Sequence, residues 1–212
     1  MAAALPSLAR PFGRAFRKGS MCALGADERE GIVDILGVLA GGDRRSIGRV
    51  PEIVSFVLRN PEHLPVLIEG MEVDDEVVRM RCADAAEKIS ISRPDLFTPF
   101  RLQLLELAQT SVQQELRWHL AQMLPRVGLD TNQRNAGVQL LLEYLKDKSR
   151  IVATSSMSAL FEFAQQDRQL LPRLRTILEH FAAEGSASVI VQRACSRDWV
   201  RLITDSLRCL TP

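Results

Sequence analysis

Asp74-Asp75-Glu76-Val77-Val78-Arg79-Met80-Arg81-Cys82-Ala83-Asp84-Ala85-Ala86-Glu87-Lys88-Ile89 decides how this 212-residue chain is read. Its acidic opening suits the positive end of a helix dipole and supplies a cap for the first amides. Small residues follow, and a terminal Ile closes the segment. The pattern then recurs: Leu116, Arg117, Leu120, Leu124 and Val127 match Val78, Arg79, Cys82, Ala86 and Ile89. Val152, Ser156, Leu160 and Phe163 form a third copy, and Val189 opens a weaker fourth. The leading positions, Val78, Leu116, Val152 and Val189, are separated by 38, 36 and 37 residues. Self-similarity at such a period predicts stacked helical units, none of which buries its apolar surface alone.

The rest of the chain reads as helices bounded by caps and breakers. Helix one is predicted over 27–40, with Ile32, Ile35, Leu36 and Leu39 on one face and Gly41-Gly42 as its stop. Helix two covers 47–59, with Pro51 near its first turn, and a short helix three covers 62–71. The quoted segment is helix four, over 75–90. Helix five follows Pro94 over 95–109, with Leu102, Leu105 and Leu107 inward, and helix six is 112–127. Asp130 or Thr131 caps helix seven (132–146), and Ser149 opens helix eight, to 166. Helices nine (169–183) and ten (from 186) complete five hairpins. The expected fold is an all-α superhelix, a solenoid of about five antiparallel helical hairpins. Residues 27–60 form a divergent capping hairpin, and 61–210 hold the repeats.

Composition narrows the function classes. A formal net charge of +1 gives no general electrostatic case for nucleic acid or membrane binding. No apolar run approaches the length of a membrane span. Lys stands only at 18, 88, 146 and 148, so 23 of the 27 basic residues are Arg, a bias that GC-rich codon usage explains. Cys22, Cys82, Cys195 and Cys209 show no metal-binding or redox spacing and read as free thiols in a reducing compartment, with Cys82 a small packing residue. The first 26 residues carry Arg10, Arg14, Arg17 and Lys18 and no acid. Organelle transit peptides share that composition. The reading adopted is a flexible basic arm on a cytoplasmic protein, with Met21 as an alternative start.

Residues 61–204 resemble HEAT-repeat or armadillo-type proteins. Val78-Arg79, Leu116-Arg117 and the polar openings at Asp74, Ser111 and Asp147 carry the likeness. The resemblance implies a right-handed superhelix whose inner helices line a concave recognition surface. Ala153 and Ile190 replace the Arg found at 79 and 117, so an Arg–Asp ladder is expected to break there. The period is also shorter than is usual for that family.

Helical angles of about 100° per residue place Met80, Asp84 and Glu87 away from the core face of helix four. The equivalent positions are Trp118, Gln122 and Pro125, then Thr154, Ser158 and Phe161, then Val191, Cys195 and Asp198. Met80, Trp118, Phe161 and Val191 are thus expected to form an apolar stripe, flanked by Arg79, Arg81, Arg117 and His119, that takes a protein or peptide partner with Trp118 as anchor. The alternative is nucleic-acid binding in the manner of HEAT-like DNA alkylation-repair glycosylases. There Arg79, Arg81, Arg117, Arg150, Arg193 and Arg197 would meet phosphates and Trp118 would stack on a base. Asp84, Glu87 and Asp198 on the same face oppose it. His63, His119 and His180 are isolated in sequence, so no metal or other cofactor is expected. No catalytic constellation is present, and the expected role is a non-catalytic scaffold or adaptor.

Overall fold

The computed structural model describes residues 34–174 and residue 176. Every regular element among them is helical. In order they are α1 (Ile35–Leu39), α2 (Val50–Arg59), α3 (Leu64–Gly70), α4 (Glu76–Ser92), α5 (Arg101–Thr110), α6 (Gln114–Met123), α7 (Thr131–Tyr144) and α8 (Arg150–Gln166). Short 3-10 segments at Pro61–His63, Pro94–Phe100 and Arg168–Leu170 precede α3, α5 and a helical turn from Leu171. The basic arm at 1–26, the first half of helix one, the second half of helix nine and all of helix ten lie outside the described residues.

Helix starts follow side-chain chemistry. Asp75 Oδ1 accepts from the Val77 and Val78 amides at 2.8 and 3.2 Å, so the second acid of the opening is the cap of α4. Asp130 and Gln133 exchange hydrogen bonds in a capping box on α7. Ser149 accepts from Val152 N at the start of α8. Gly41 and Gly42 stop α1 with φ of 78° and 77°, which a side chain would strain. Pro94 and Pro99 lie in the 3-10 segment 94–100. Leu104, Leu105, Leu107 and Ala108 make the buried face of α5, and the helical angle turns Leu102, expected inward, off that face, so it is 63% exposed.

The even-numbered helices pack in succession, α2 on α4, α4 on α6 and α6 on α8. Each of α4, α6 and α8 also packs on the helix before it, and α1 meets α3 as α5 meets α7. α4 touches α1, α2, α3 and α6, so almost no side of it is left to solvent. Its small residues suit that position. A Cβ added at Gly70 of α3 would lie 2.5 Å from Cys82 Sγ and 2.8 Å from Leu36 Cδ2. Burial pushes the Cys82 thiol up to about 12, as a packing residue requires.

Polar contacts join the start of one even helix to the start of the next. Arg79 Nε donates to Gln113 Oε1 at 2.8 Å, and Gln113 Nε2 returns a bond to the Glu76 carbonyl at 2.9 Å. Arg117 pairs with Asp147 and stacks on Tyr144, its guanidinium carbon 4.1 Å from the ring centroid. The Tyr144 hydroxyl donates to the Ala108 carbonyl. Two rungs, Arg79–Gln113 and Arg117–Asp147, thus tie the N-terminal end of one even helix to the next.

Candidate functional site

The side of α4 expected to face solvent is covered. Met80, Asp84 and Glu87 are 6%, 6% and 8% exposed. The angular reading treated α4 as a surface helix, but α2 and α6 flank it, and α6 and its C-terminal extension reach across it. His119 Nε2 lies 3.9 Å from Asp84 Oδ1, and Arg126 Nη1 donates to Glu87 Oε1 at 2.6 Å.

Arg81 also departs from expectation. Its side chain turns away from any open surface and into the loop after α1. Nη1 donates to the carbonyls of Leu39 (2.7 Å) and Gly41 (2.6 Å), Nε to Ser46 (3.1 Å) and Nη2 to Asp43 (3.3 Å). Leu39 ends α1 and the other carbonyls belong to the loop that follows, so Arg81 both caps α1 and fastens that loop from about forty residues away in sequence. Gly48 has φ of 55°, and a Cβ there would lie 2.9 Å from the Arg81 guanidinium carbon. The loop fits around the side chain.

The other flanking arginines are committed as well. Arg79 donates to the Val73 and Asp74 carbonyls besides Gln113. Arg117 is held by Asp147 and Tyr144. Arg150 is exposed, and Val191, Arg193 and Arg197 lie outside the described residues.

What remains open lies on α6 and α8. Gln114, Trp118 and Gln122 follow at four-residue intervals along α6, exposed at the first and half-buried at the others. Ile151, Thr154 and Ser158 make the matching exposed row on α8, and it runs on to half-buried Phe161. Trp118 packs partly on the core and lies 5.4 Å from the His119 ring, centroid to centroid, in a tilted arrangement. Gln122 Nε2 donates to Ser155 Oγ at 3.3 Å and joins the two helices. The hydroxyls of Thr154 and Ser158 donate to carbonyls one turn back.

Behind this face, between α4 and α6, lies a group that the sequence did not bring together. One ligand atom each from Asp84, Glu87 and His119 lies within 4.8 Å of the others. Lys88 pairs with Asp84 Oδ1, while Arg126 bridges Glu87 and Glu162. Asp84 Oδ2, His119 Nδ1 and Glu115 Oε2 are buried and find no hydrogen-bond partner in the protein. Burial holds His119 below its ordinary value, against the pull of the Asp84, Glu87 and Glu115 carboxylates, and so favours the neutral imidazole. Glu87 and Arg126 are 39 residues apart and Arg126 and Glu162 are 36 apart. Separations near the repeat length were the signal available for finding these pairs. A search for short local motifs misses them.

Comparison of the chain with known protein families, with curated proteins and with solved structures finds no match. The assignment of a role rests on the residues alone.

Proposed function

We propose that the protein is a non-catalytic interaction module of HEAT-like organisation, a solenoid of helical hairpins that binds a protein or peptide on the face formed by α6 and α8. Trp118 is the anchor, Phe161 and Ile151 extend the apolar surface, and Gln114, Gln122, Thr154 and Ser158 supply polar contacts. The observation that carries the reading is the pairing of the two rows. An aromatic and an aliphatic side chain, partly or fully open to water, stand beside small hydroxyl residues already satisfied by their own helix. Such a surface costs little to desolvate, and half-buried Trp is a frequent binding anchor. The successive packing of α2, α4, α6 and α8 supports the repeat organisation.

Nucleic-acid binding is less well supported. Arg79 and Arg81 donate to groups within the chain, Arg117 is held by Asp147 and Tyr144, and Asp84 and Glu87 are buried carboxylates on α4. No helix among the described residues is long and apolar enough to cross a membrane.

Capture of partners from native extract tests the proposal, with wild type compared with Trp118→Ala and Ser158→Arg. The second variant alters only an exposed position. Loss of the same captured protein with both variants, and its retention by Glu143→Gln on α7, is the expected result. A partner held equally by all four proteins refutes the assignment of this face.

A further inference from the structure

The Asp84–Glu87–His119 group goes beyond partner binding and stands independently of it. We infer that these three side chains form a site for one divalent first-row transition ion, which clamps α4 to α6. The ligand set fits such an ion: two carboxylates at i and i+3 on one helix and an imidazole from the next supply oxygen and nitrogen donors, the mixture that zinc and its neighbours accept.

Three observations support the site. The first is distance. His119 Nε2 and Asp84 Oδ1 are 3.9 Å apart, too far for a hydrogen bond. Donors that share an ion through bonds of about 2.1 Å lie about 3.0–3.4 Å apart, so a small side-chain rotation closes the gap. The second is a buried atom without a partner. Asp84 is 6% exposed, yet its Oδ2 has no hydrogen-bond donor. Groups left in this state are costly unless something else satisfies them. The third is charge. Among the described residues, the buried carboxylates of Asp84, Glu87 and Glu115 lie about His119, with Lys88 paired to Asp84 and Arg126 shared between Glu87 and the partly exposed Glu162. Carboxylates outnumber the cations there, which favours a further positive charge.

Lys88 is the resident competitor. Its ammonium sits on Asp84 Oδ1, and with a side chain 40% exposed it can swing into water when an ion arrives.

Cobalt(II) titration of the full-length, chelator-treated protein tests the inference, because its visible d–d absorption reports oxygen and nitrogen ligation and thiolate ligation adds a separate charge-transfer band. The expected result is a saturable d–d band at one ion per chain without the thiolate band. Asp84→Asn and His119→Gln each weaken binding by at least about tenfold, Lys88→Met tightens it several-fold, and Glu143→Gln leaves it unchanged. Absence of a saturable band in wild type, a thiolate spectrum, or affinity unaltered in folded Asp84→Asn overturns the site. Circular dichroism checks the fold of each variant. Should both ligand variants fail to fold, Lys88→Met decides: unchanged or weaker binding then refutes the clamp.

Discussion

Replacing Arg81 by alanine removes the donors that hold the loop between α1 and α2. Three of its hydrogen bonds are short and well placed, to Gly41, Leu39 and Ser46 at 2.6, 2.7 and 3.1 Å. Hydrogen bonds from a charged donor are worth about 1.5–3 kcal/mol each, which sets a gross loss of about 5–9 kcal/mol. Much of it is recovered, because residues 40–49 are exposed and most of the freed carbonyls can turn to water. The Leu39 carbonyl is the buried exception. A net destabilisation of about 3 kcal/mol is expected, which lowers Tm by about 6–12 °C for a chain of this size. Arg81→Lys keeps one or two carbonyl contacts but loses the planar fork, and should cost about half as much. Because no carboxylate partners Arg81, the loss should hardly depend on salt. Thermal melts followed by circular dichroism give the stability, and limited trypsin digestion reports the loop through cleavage after Arg44 and Arg45. An alanine variant within about 0.5 kcal/mol of wild type, with no faster cleavage at those two residues, would refute the claim that Arg81 fastens this loop.

Other outcomes follow from the packing and the open face. Gly70→Ala drives a methyl group into Cys82 and Leu36 and should destabilise the protein by about 1–3 kcal/mol, measured by urea denaturation; Cys82→Ala in the same background should relieve part of that loss. The raised Cys82 thiol sets a pH dependence. The folded state keeps its proton while the unfolded state gives it up near the ordinary value of 9.0, so this contribution is intact below pH 9.0 and is lost as pH rises toward about 12. Wild type should therefore lose about 1.4 kcal/mol per pH unit in that range beyond what Cys82→Ala loses. Trp118 is only half-buried, so Trp118→Ala should cost about 1–2 kcal/mol, less than for a fully buried Trp, and leave a folded protein at room temperature. Duplex DNA should show no saturable binding even at low salt; a steep salt-dependent affinity would revive the nucleic-acid reading.

Much of the architecture could be read from the chain because it rests on local chemistry. The caps at Asp130 and Ser149, the glycine stop at Gly41-Gly42 and the apolar period of each helix depend on residues a few positions apart. Leu102 is the exception: Leu104 and Ala108 share the buried face of α5 with Leu105 and Leu107, and that choice of face turns Leu102 outward. The site was less legible for a lateral reason. A helical angle tells which side of α4 turns from α3, but not that α2 and α6 close over that side and bury Met80, Asp84 and Glu87. Arg81 shows the same limit: its partners lie in a loop some forty residues earlier, and they are backbone carbonyls that no sequence motif marks. His119 looked isolated because its neighbours, Asp84 and Glu87, sit about one repeat upstream. The Arg79–Gln113 and Arg117–Asp147 links span 34 and 30 residues, so aligning Arg79 with Arg117 does not by itself locate their partners.

The proposed solenoid adds successive even helices side by side, so that α6 and α8 extend a row instead of closing on α2. Pulsed electron resonance between spin labels at Ser55→Cys on α2 and Ser158→Cys on α8, with Cys22, Cys195 and Cys209 replaced by serine, measures this directly. Both labelled positions are exposed. Three helix spacings of about 8–10 Å predict a distance centred near 24–30 Å. A distribution centred near about 10 Å, one spacing, would mean that the helices close into a bundle, and the proposed face would be lost with the row.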